Sequence, residues 1–397
     1  MVSERWITVE RVVGYSKLAL AIYAVLAVLW IALSRDFMDP AGKPLGADFI
    51  DFYAASDLAL HGRLPQAYDI DRMAAAEQAI VPAAAGQVVP WQYPPTFALL
   101  ILPLALLPYP LAFLLFMGAT LALYLRLVRA IVPDRRAIPV ALAFTAVLVN
   151  ALGGQNGFLS AALLGGGLIL LETRPAAAGV LLGLLTYKPH LGLLVPLVLA
   201  AGGCWRAIAV GAATAALFAL LAWLAFGAES WHEFWLHLAV AGDNLRSGVL
   251  PWDKMASVFA ASRLLGAGVT AAELFQAIVA TGVAALCLQA WRRGGGLELR
   301  AALAVTGTAL AVPSLYDYDL VILAIPIAVL AADGMRFGWT PGLRTLLAIA
   351  WLAPLIGSPL ARYAHLPAMP LVLLALFWAC WQRLGLTTSA PPPGAAP

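Results

Sequence analysis

The stretch "GADFIDFYAASDLALHG", residues 46–62, places three carboxylates among aromatic and aliphatic side chains. If the stretch is helical, Asp48 and Asp51 are three residues apart and share a face, whereas Asp57 points the opposite way. Two carboxylates that face one site suit a general base, which takes a proton from a hydroxyl group. The alternative is that all three are solvated loop charges with no special role.

The motif "TYKPHLG" places two basic residues, Lys188 and His190, in a tight break between apolar segments. A cation there suits a phosphate whose lipid tail lies in apolar surroundings, because charge attraction is strong in a low dielectric. Arg63 is a further candidate for the same phosphate. Two other interpretations stay open: Lys188 extends its ammonium from apolar surface to water, or it forms a structural ion pair with Asp48 or Asp51.

Polar side chains also recur in the motifs "WQYPPTF", "GGQNG" and "SLYDYDL". They contribute Tyr93, Gln155, Asn156, Tyr316 and Asp319. Taken singly, these residues are explained by turn chemistry and by the tyrosines of a membrane interface. Because all of them are expected at the same membrane face, we predict that they bind a substrate together.

The composition is that of a membrane protein. Hydrophobic residues make up 62% of the 397 residues, charged residues only 11%, and the mean hydropathy is +0.88. A soluble domain has roughly a quarter of its residues charged. The net charge of +3 is too small and too scattered to indicate a nucleic-acid partner. We therefore predict an all-α polytopic protein that lies in the lipid bilayer.

Twelve segments are predicted to span the membrane, within a range of eleven to thirteen. A hydrocarbon core about 30 Å thick needs ~20 helical residues, and several of these segments are shorter than that. They lie near residues 17–34, 110–131, 137–152, 156–172, 175–187, 189–203, 206–226, 266–291, 298–313, 318–333, 342–357 and 367–384.

The segments between these helices define the predicted topology. Most of the 24 Lys and Arg residues lie on one side when the N-terminus is cytoplasmic, as the positive-inside rule requires. Two larger loops, 35–109 and 227–265, are then extracytoplasmic, and the first contains helices at the membrane surface, including 94–107. Residues 1–385 are predicted to form a single transmembrane domain, and 386–397 a disordered tail.

Five motifs, in this order, closely resemble bacterial glycosyltransferase family 87 over roughly residues 15–385. They are "GADFIDFYAASDLALHG...AYD", "YPPTFALLILPLALLP", "GGQNGFLSAALLGGGLILLE", "GVLLGLLTYKPHLGLLVPLVL" and "LYDYDLVILAIP". The family contains polyprenyl-phosphate-mannose-dependent α-mannosyltransferases. It belongs to the GT-C superfamily of multi-spanning transferases that use lipid-linked sugars.

The resemblance implies a GT-C-type domain in the bacterial plasma membrane with its active site at the outer face. It implies an aspartate of the first outer loop as catalytic base, which selects Asp48, with Asp51 as the second choice. The implied donor is a polyprenyl-phosphate hexose, with mannose favoured, and the acceptor is a glycolipid or a glycan. Lys188 matches the family's Lys-Pro and is assigned to the donor phosphate, with His190 and Arg63 as further candidates.

A secondary transporter or flippase of a lipid-linked or small polar substrate is the main alternative function. Transporters bind substrates near the midplane, often at broken helices in repeated halves. This sequence has no convincing internal repeat, and its ionisable residues cluster at helix ends, which favours the transferase. No cofactor and no metal site are predicted, although Asp48 and Asp51 could bind a divalent cation weakly.

The topology is testable with reporter fusions. A reporter fused after residue 60 should be extracytoplasmic and one fused after residue 134 cytoplasmic, because Lys and Arg are retained inside. The measurement is activity of a paired phosphatase and fluorescent-protein reporter in intact cells. The reverse pattern would contradict the outer position of all the site residues.

Overall fold

The computed structural model describes residues 6–389, which are built almost entirely from helices. Seventeen α-helices follow one another along the chain, and short 3₁₀ turns join several of them. Within the described range, β-pairing is limited to three isolated bridges. The predicted all-α class is confirmed.

One long helix and three short ones occupy the first part of the chain. The long helix, α1 (Val9–Leu33), begins at Thr8, whose hydroxyl accepts a hydrogen bond from the backbone N of Arg11 at 3.3 Å. Only Ser16 of this helix is buried, so its apolar side chains face outward, as expected for a helix in lipid. The short helices are α2 (Phe49–Leu60), α3 (Ile70–Ile80) and α4 (Pro95–Ile101).

Thirteen further helices complete the described chain. They are α5 (Tyr109–Ile131), α6 (Ala137–Leu142), α7 (Thr145–Gly153), α8 (Gly157–Ile169), α9 (Pro175–Leu184), α10 (Val195–Ala201), α11 (Trp205–Ser247), α12 (Val258–Leu264), α13 (Val269–Arg293), α14 (Leu297–Ala311), α15 (Ala324–Phe337), α16 (Leu343–Tyr363) and α17 (Met369–Ser389).

Six helical segments of the described chain are long and apolar enough to cross a membrane: Val9–Leu33, Tyr109–Ile131, Trp205–Ser247, Val269–Arg293, Asp317–Phe337 and Leu343–Tyr363. Five shorter apolar segments of 10–17 residues accompany them: Pro95–Leu106, Gly157–Ile169, Pro175–Tyr187, Pro189–Ala201 and Met369–Gly385. The multi-pass character follows from the long segments. The total of twelve spans stays a prediction.

Two of the predicted spans contain or end at a break in the backbone. Segment 137–152 is divided between α6 and α7, because Phe144 leaves the helical conformation at φ −54° and ψ 126°. Segment 206–226 ends at Gly227, whose φ of +77° and ψ of 172° interrupt α11. Helix resumes beyond Gly227 and continues to Ser247, so much of the predicted loop 227–265 is helical.

Helix α14 lies at the centre of the packing. Every residue from Leu299 to Ala311 is buried, and the helix packs against α8, α13, α15 and α17. Its many Ala, Gly and Thr residues allow neighbouring backbones to approach closely, as in other membrane bundles. A continuous cluster of buried apolar side chains extends from Phe49 to Leu384 around it.

At the C-terminal end, α17 continues to Ser389. The first four residues of the predicted tail, 386–397, are therefore helical. Residues 390–397 lie outside the described residues.

A buried ion pair between Asp333 of α15 and Arg383 of α17 predicts a large stability effect. Both side chains are 7% exposed, and Arg383 also donates to the Gly338 carbonyl at 3.0 Å. Asp333→Leu removes one partner of a buried ion pair, which costs roughly 3 to 5 kcal/mol. The measurement is the thermal unfolding midpoint of the purified protein in detergent.

The matched control is Asp134→Leu, which removes an ion pair with Arg136 whose side chains are 41% and 60% exposed. Because solvent screens exposed pairs, we expect a midpoint close to that of the wild type. Equal shifts in the two variants would show that the Asp333–Arg383 pair has no special structural role.

Candidate active site

Asp48 lies where the segment before α2 meets the turn between α7 and α8. Its backbone N donates to the Gly153 carbonyl at 3.0 Å. The next residue, Gly154, has a positive φ of 62°, and a Cβ there would overlap the carbonyl oxygen of Gly46. Glycine is therefore required where the "GGQNG" and "GADFID" motifs touch.

Gln155 connects Asp48 to Tyr93. The Gln155 amide donates to Asp48 Oδ2 at 2.9 Å, and its Oε1 accepts from the Tyr93 hydroxyl at 3.2 Å. Gln155 is 4% exposed, whereas the Asp48 side chain is only half-buried. No described residue donates to Asp48 Oδ1. One carboxylate oxygen is thus fixed by the protein and the other is free for a ligand.

Asp51 has a different environment from Asp48, although both belong to the same motif. It is 2% exposed, and its Oδ1 has no hydrogen-bond partner among the described residues. Burial raises the pKa of Asp51 well above its ordinary value, and the negative charges of Asp48 and Glu77 raise it further. These effects favour a neutral carboxyl, which is a poor proton acceptor.

Glu77 of α3 is a third carboxyl group beside this pair and was not predicted as a site residue. Both of its oxygens accept from the backbone N of Val89, at 3.2 and 3.1 Å. Burial raises the pKa of Glu77 to about 7, and the Asp48 charge adds to that shift. Nothing in the sequence pointed to this contact beyond one more acidic residue in the same segment.

Lys188 forms the other half of the network, and its partner is Asp319 rather than Asp48 or Asp51. Its Nζ donates to Asp319 Oδ1 at 2.6 Å and to Asn156 Oδ1 at 2.8 Å. Lys188 and Asp319 are 3% and 1% exposed, respectively. A lysine this buried does not extend to water, so the ion-pair interpretation holds with a different carboxylate.

Aromatic rings surround the Lys188 ammonium. Nζ lies 5.1 Å from the ring centre of Tyr318 and 5.9 Å from that of Tyr93, distances at which a cation is attracted to a ring face. Tyr318 also stacks on Tyr316, with ring centres 5.2 Å apart and planes 5° from parallel. Tyr93 therefore links the Asp48 end of the site to the Lys188 end.

The segment before α12 holds the Tyr316 segment in place. Met255 and Tyr316 form an isolated antiparallel bridge, and the backbone N of Ala256 donates to the Leu315 carbonyl at 2.7 Å. The stacked tyrosines are thus supported from outside their own segment. Tyr318 was not predicted as a site residue, and only its place in "SLYDYDL" pointed to it.

Two predicted donor-phosphate residues lie outside these contacts. His190 is half-buried, and its Nε2 is buried without a hydrogen-bond partner among the described residues. Arg63 is exposed and lines a separate cleft between α2 and α3. No described contact brings Arg63 to Lys188. The site that the structure assembles contains Asp48, Asp51, Tyr93, Gln155, Asn156, Lys188, Tyr316 and Asp319.

Residues 6–389 contain no group of three or more His, Cys, Asp or Glu side chains arranged to hold a metal ion.

A comparison with models of protein families finds the family to which the chain belongs. The model of glycosyltransferase family 87 matches residues 91–313, more than half of the chain. The chain belongs to glycosyltransferase family 87. It is therefore a membrane glycosyltransferase, which acts on a sugar donor and an acceptor. This membership favours the transferase over the transporter or flippase alternative.

The matched part of this family 87 protein contains Tyr93, Gln155, Asn156, Lys188 and His190. It does not include the segments of Asp48 and Asp319. No curated protein and no solved structure matches the chain.

The Lys188–Asp319 pair leads to a prediction that separates structural support from ligand binding. Lys188→Met leaves a carboxylate buried without its counter-ion and should cost roughly 3 to 5 kcal/mol of stability. The double variant Lys188→Met with Asp319→Leu removes both charges and should restore most of the lost stability. The measurements are the thermal midpoint and the rate of sugar transfer.

If Lys188 contacts the substrate, the stable double variant will still lack activity. Recovery of both stability and activity in the double variant would show that the ion pair serves only the fold.

Proposed function

We propose that this family 87 protein transfers a hexose, with mannose favoured, from polyprenyl phosphate to a hydroxyl group of a glycolipid or glycan. The reaction takes place at the outer face of the bacterial plasma membrane. The observation that carries the proposal is the environment of Asp48, which has one oxygen fixed by Gln155 and the other free. A positioned carboxylate with a free oxygen is what a general base requires.

The proposed reaction is a single displacement. Asp48 Oδ1 takes the proton of the acceptor hydroxyl as the hydroxyl oxygen attacks the anomeric carbon. The bond between that carbon and the phosphate oxygen breaks, and polyprenyl phosphate leaves with the electron pair. Positive charge develops on the sugar ring in the transition state, as in other glycosyl transfers, and the configuration inverts.

Lys188 and His190 are the proposed contacts of the departing phosphate. The Lys188 ammonium has three hydrogens, and it donates two of them to Asp319 and Asn156. The third is available for a phosphate oxygen. The buried His190 Nε2 has no described partner and is a second donor. Fixed donors aimed at developing charge stabilise the transition state.

Tyr93 and Tyr316 are proposed to hold the sugar. Sugar-binding pockets combine ring faces with a few fixed polar groups, and this site supplies both. The Tyr93 hydroxyl is held by Gln155, and the Tyr316 ring is fixed by stacking on Tyr318. The half-buried state of both tyrosines leaves surface for a ligand.

The base assignment is tested by comparing neighbouring carboxyl groups. Asp48→Asn should lower the rate of transfer by ~10² to 10⁴, because the amide cannot accept the proton. Asp51→Asn should retain most of the activity, since an amide resembles a neutral carboxyl in size and polarity. The assay is initial-rate transfer by purified protein from a panel of labelled polyprenyl-phosphate sugars.

Asp71→Asn, in an exposed carboxylate of the same loop, is the matched control and should be unaffected. Comparable losses in Asp48→Asn and Asp51→Asn, with unchanged thermal midpoints, would contradict the assignment of Asp48 as the only base. A panel without any transferred sugar would contradict the polyprenyl-phosphate donor.

A further inference from the structure

A cavity beside α2 shares no residue with the Asp48 network. It is a cleft of about 590 Å³ between α2, α3 and the start of α5. Its polar wall consists of Tyr53, Asp57, Arg63, Gln66, Arg72 and Tyr109, and the rest is Leu, Ile and Ala. Asp57 lies nine residues after Asp48, so the cleft is on the far side of α2 from the candidate base.

The cleft carries a net positive charge, because two arginines and one aspartate line it. Arg63 and Arg72 are both exposed, and neither forms an ion pair with any described residue. The one acidic side chain in the wall, Asp57, lies 3.4 Å from His61 instead. Two guanidinium groups with free N–H donors form a site for a phosphate, which they bind by paired, charge-assisted hydrogen bonds.

The cleft also adjoins the first residue of a candidate membrane span. Tyr109 is the first residue of α5, a candidate span, and its ring centre lies 5.3 Å from that of Tyr53. The Tyr53 hydroxyl donates to the Leu107 carbonyl at 2.8 Å, which fixes α2 to the entry of that span. A phosphate in the cleft would therefore lie at the level of lipid headgroups.

Exposed apolar side chains lie at the end of α2 and just before α5. Leu60 at the end of α2 and Leu106 before α5 are 43% and 70% exposed. Exposed apolar surface beside a cationic cleft matches a ligand that is both anionic and apolar. Free inorganic phosphate would use only the arginines.

We propose that this cleft binds an anionic phospholipid. Arg63 and Arg72 hold the phosphate, and the acyl chains lie along the exposed apolar side chains. Such a lipid would fasten α2 to the membrane surface, and α2 begins directly after Asp48. Arg63 is thus still proposed to bind a phosphate. The phosphate belongs to a structural lipid and not to the sugar donor.

The experiment is native mass spectrometry of the purified full chain titrated with phosphatidylglycerol, phosphatidylcholine of equal chain length, or inorganic phosphate. We expect phosphatidylglycerol to bind at least about tenfold more tightly than the other two probes. Arg63→Gln with Arg72→Gln should weaken phosphatidylglycerol binding by roughly 10- to 100-fold, as expected for loss of charge-assisted contacts.

Two further variants make the result specific to the cleft. Arg35→Gln with Lys43→Gln removes the same charge from exposed positions of the same loop and should change the affinity by less than about twofold. Ala79→Trp fills the cleft but keeps both arginines, and it should also weaken binding.

Unchanged lipid affinity in the double arginine variant would overturn the proposal. Equal weakening in the Arg35 and Lys43 variant would do the same, because it would show general charge attraction. Inorganic phosphate binding as tightly as the lipid would assign the cleft to a free anion. Because binding is measured without turnover, these outcomes are independent of the proposed sugar transfer.

Discussion

The buried Lys188 ammonium is the constraint on which the rest of the site depends. A charge that is 3% exposed is tolerated only when it is paired and hydrogen-bonded. Asp319 and Asn156 satisfy this requirement, and each comes from a different part of the chain. The turn after α7, the break after α9 and the segment before α15 are therefore held at one point, at the ends of the helices that carry them.

The same network separates two carboxyl groups that the sequence places three residues apart. Asp48 stays half-buried because it lies where α2 begins and contacts the α7–α8 turn through Gln155. Asp51 is one helical turn further along α2 and faces the core. Burial favours the neutral form of one carboxyl group, whereas partial exposure and a fixed amide suit the other to proton transfer.

The part of the chain around α2 has two surfaces on opposite sides of this helix. One faces the helix ends with Asp48, and the other faces the cationic cleft with Arg63. Tyr53 and Tyr109 line the cleft where it meets α5, a candidate membrane span. A lipid bound in the cleft and a substrate bound at Asp48 would thus act on the same helix without sharing a contact.

Composition and motif order alone determined the membrane class, the all-α fold and the family, because apolar content and helical length are properties of local sequence. They also identified most of the network, since Asp48, Tyr93, Gln155 and Lys188 each lie in a distinct motif. Only the tertiary structure decided which of these side chains contact one another. Lys188 pairs with Asp319, 131 positions away in the sequence, and Arg63 lines a separate cleft. Such contacts depend on which helix ends meet and on how deeply each side chain is buried, and neither property is encoded in local spacing.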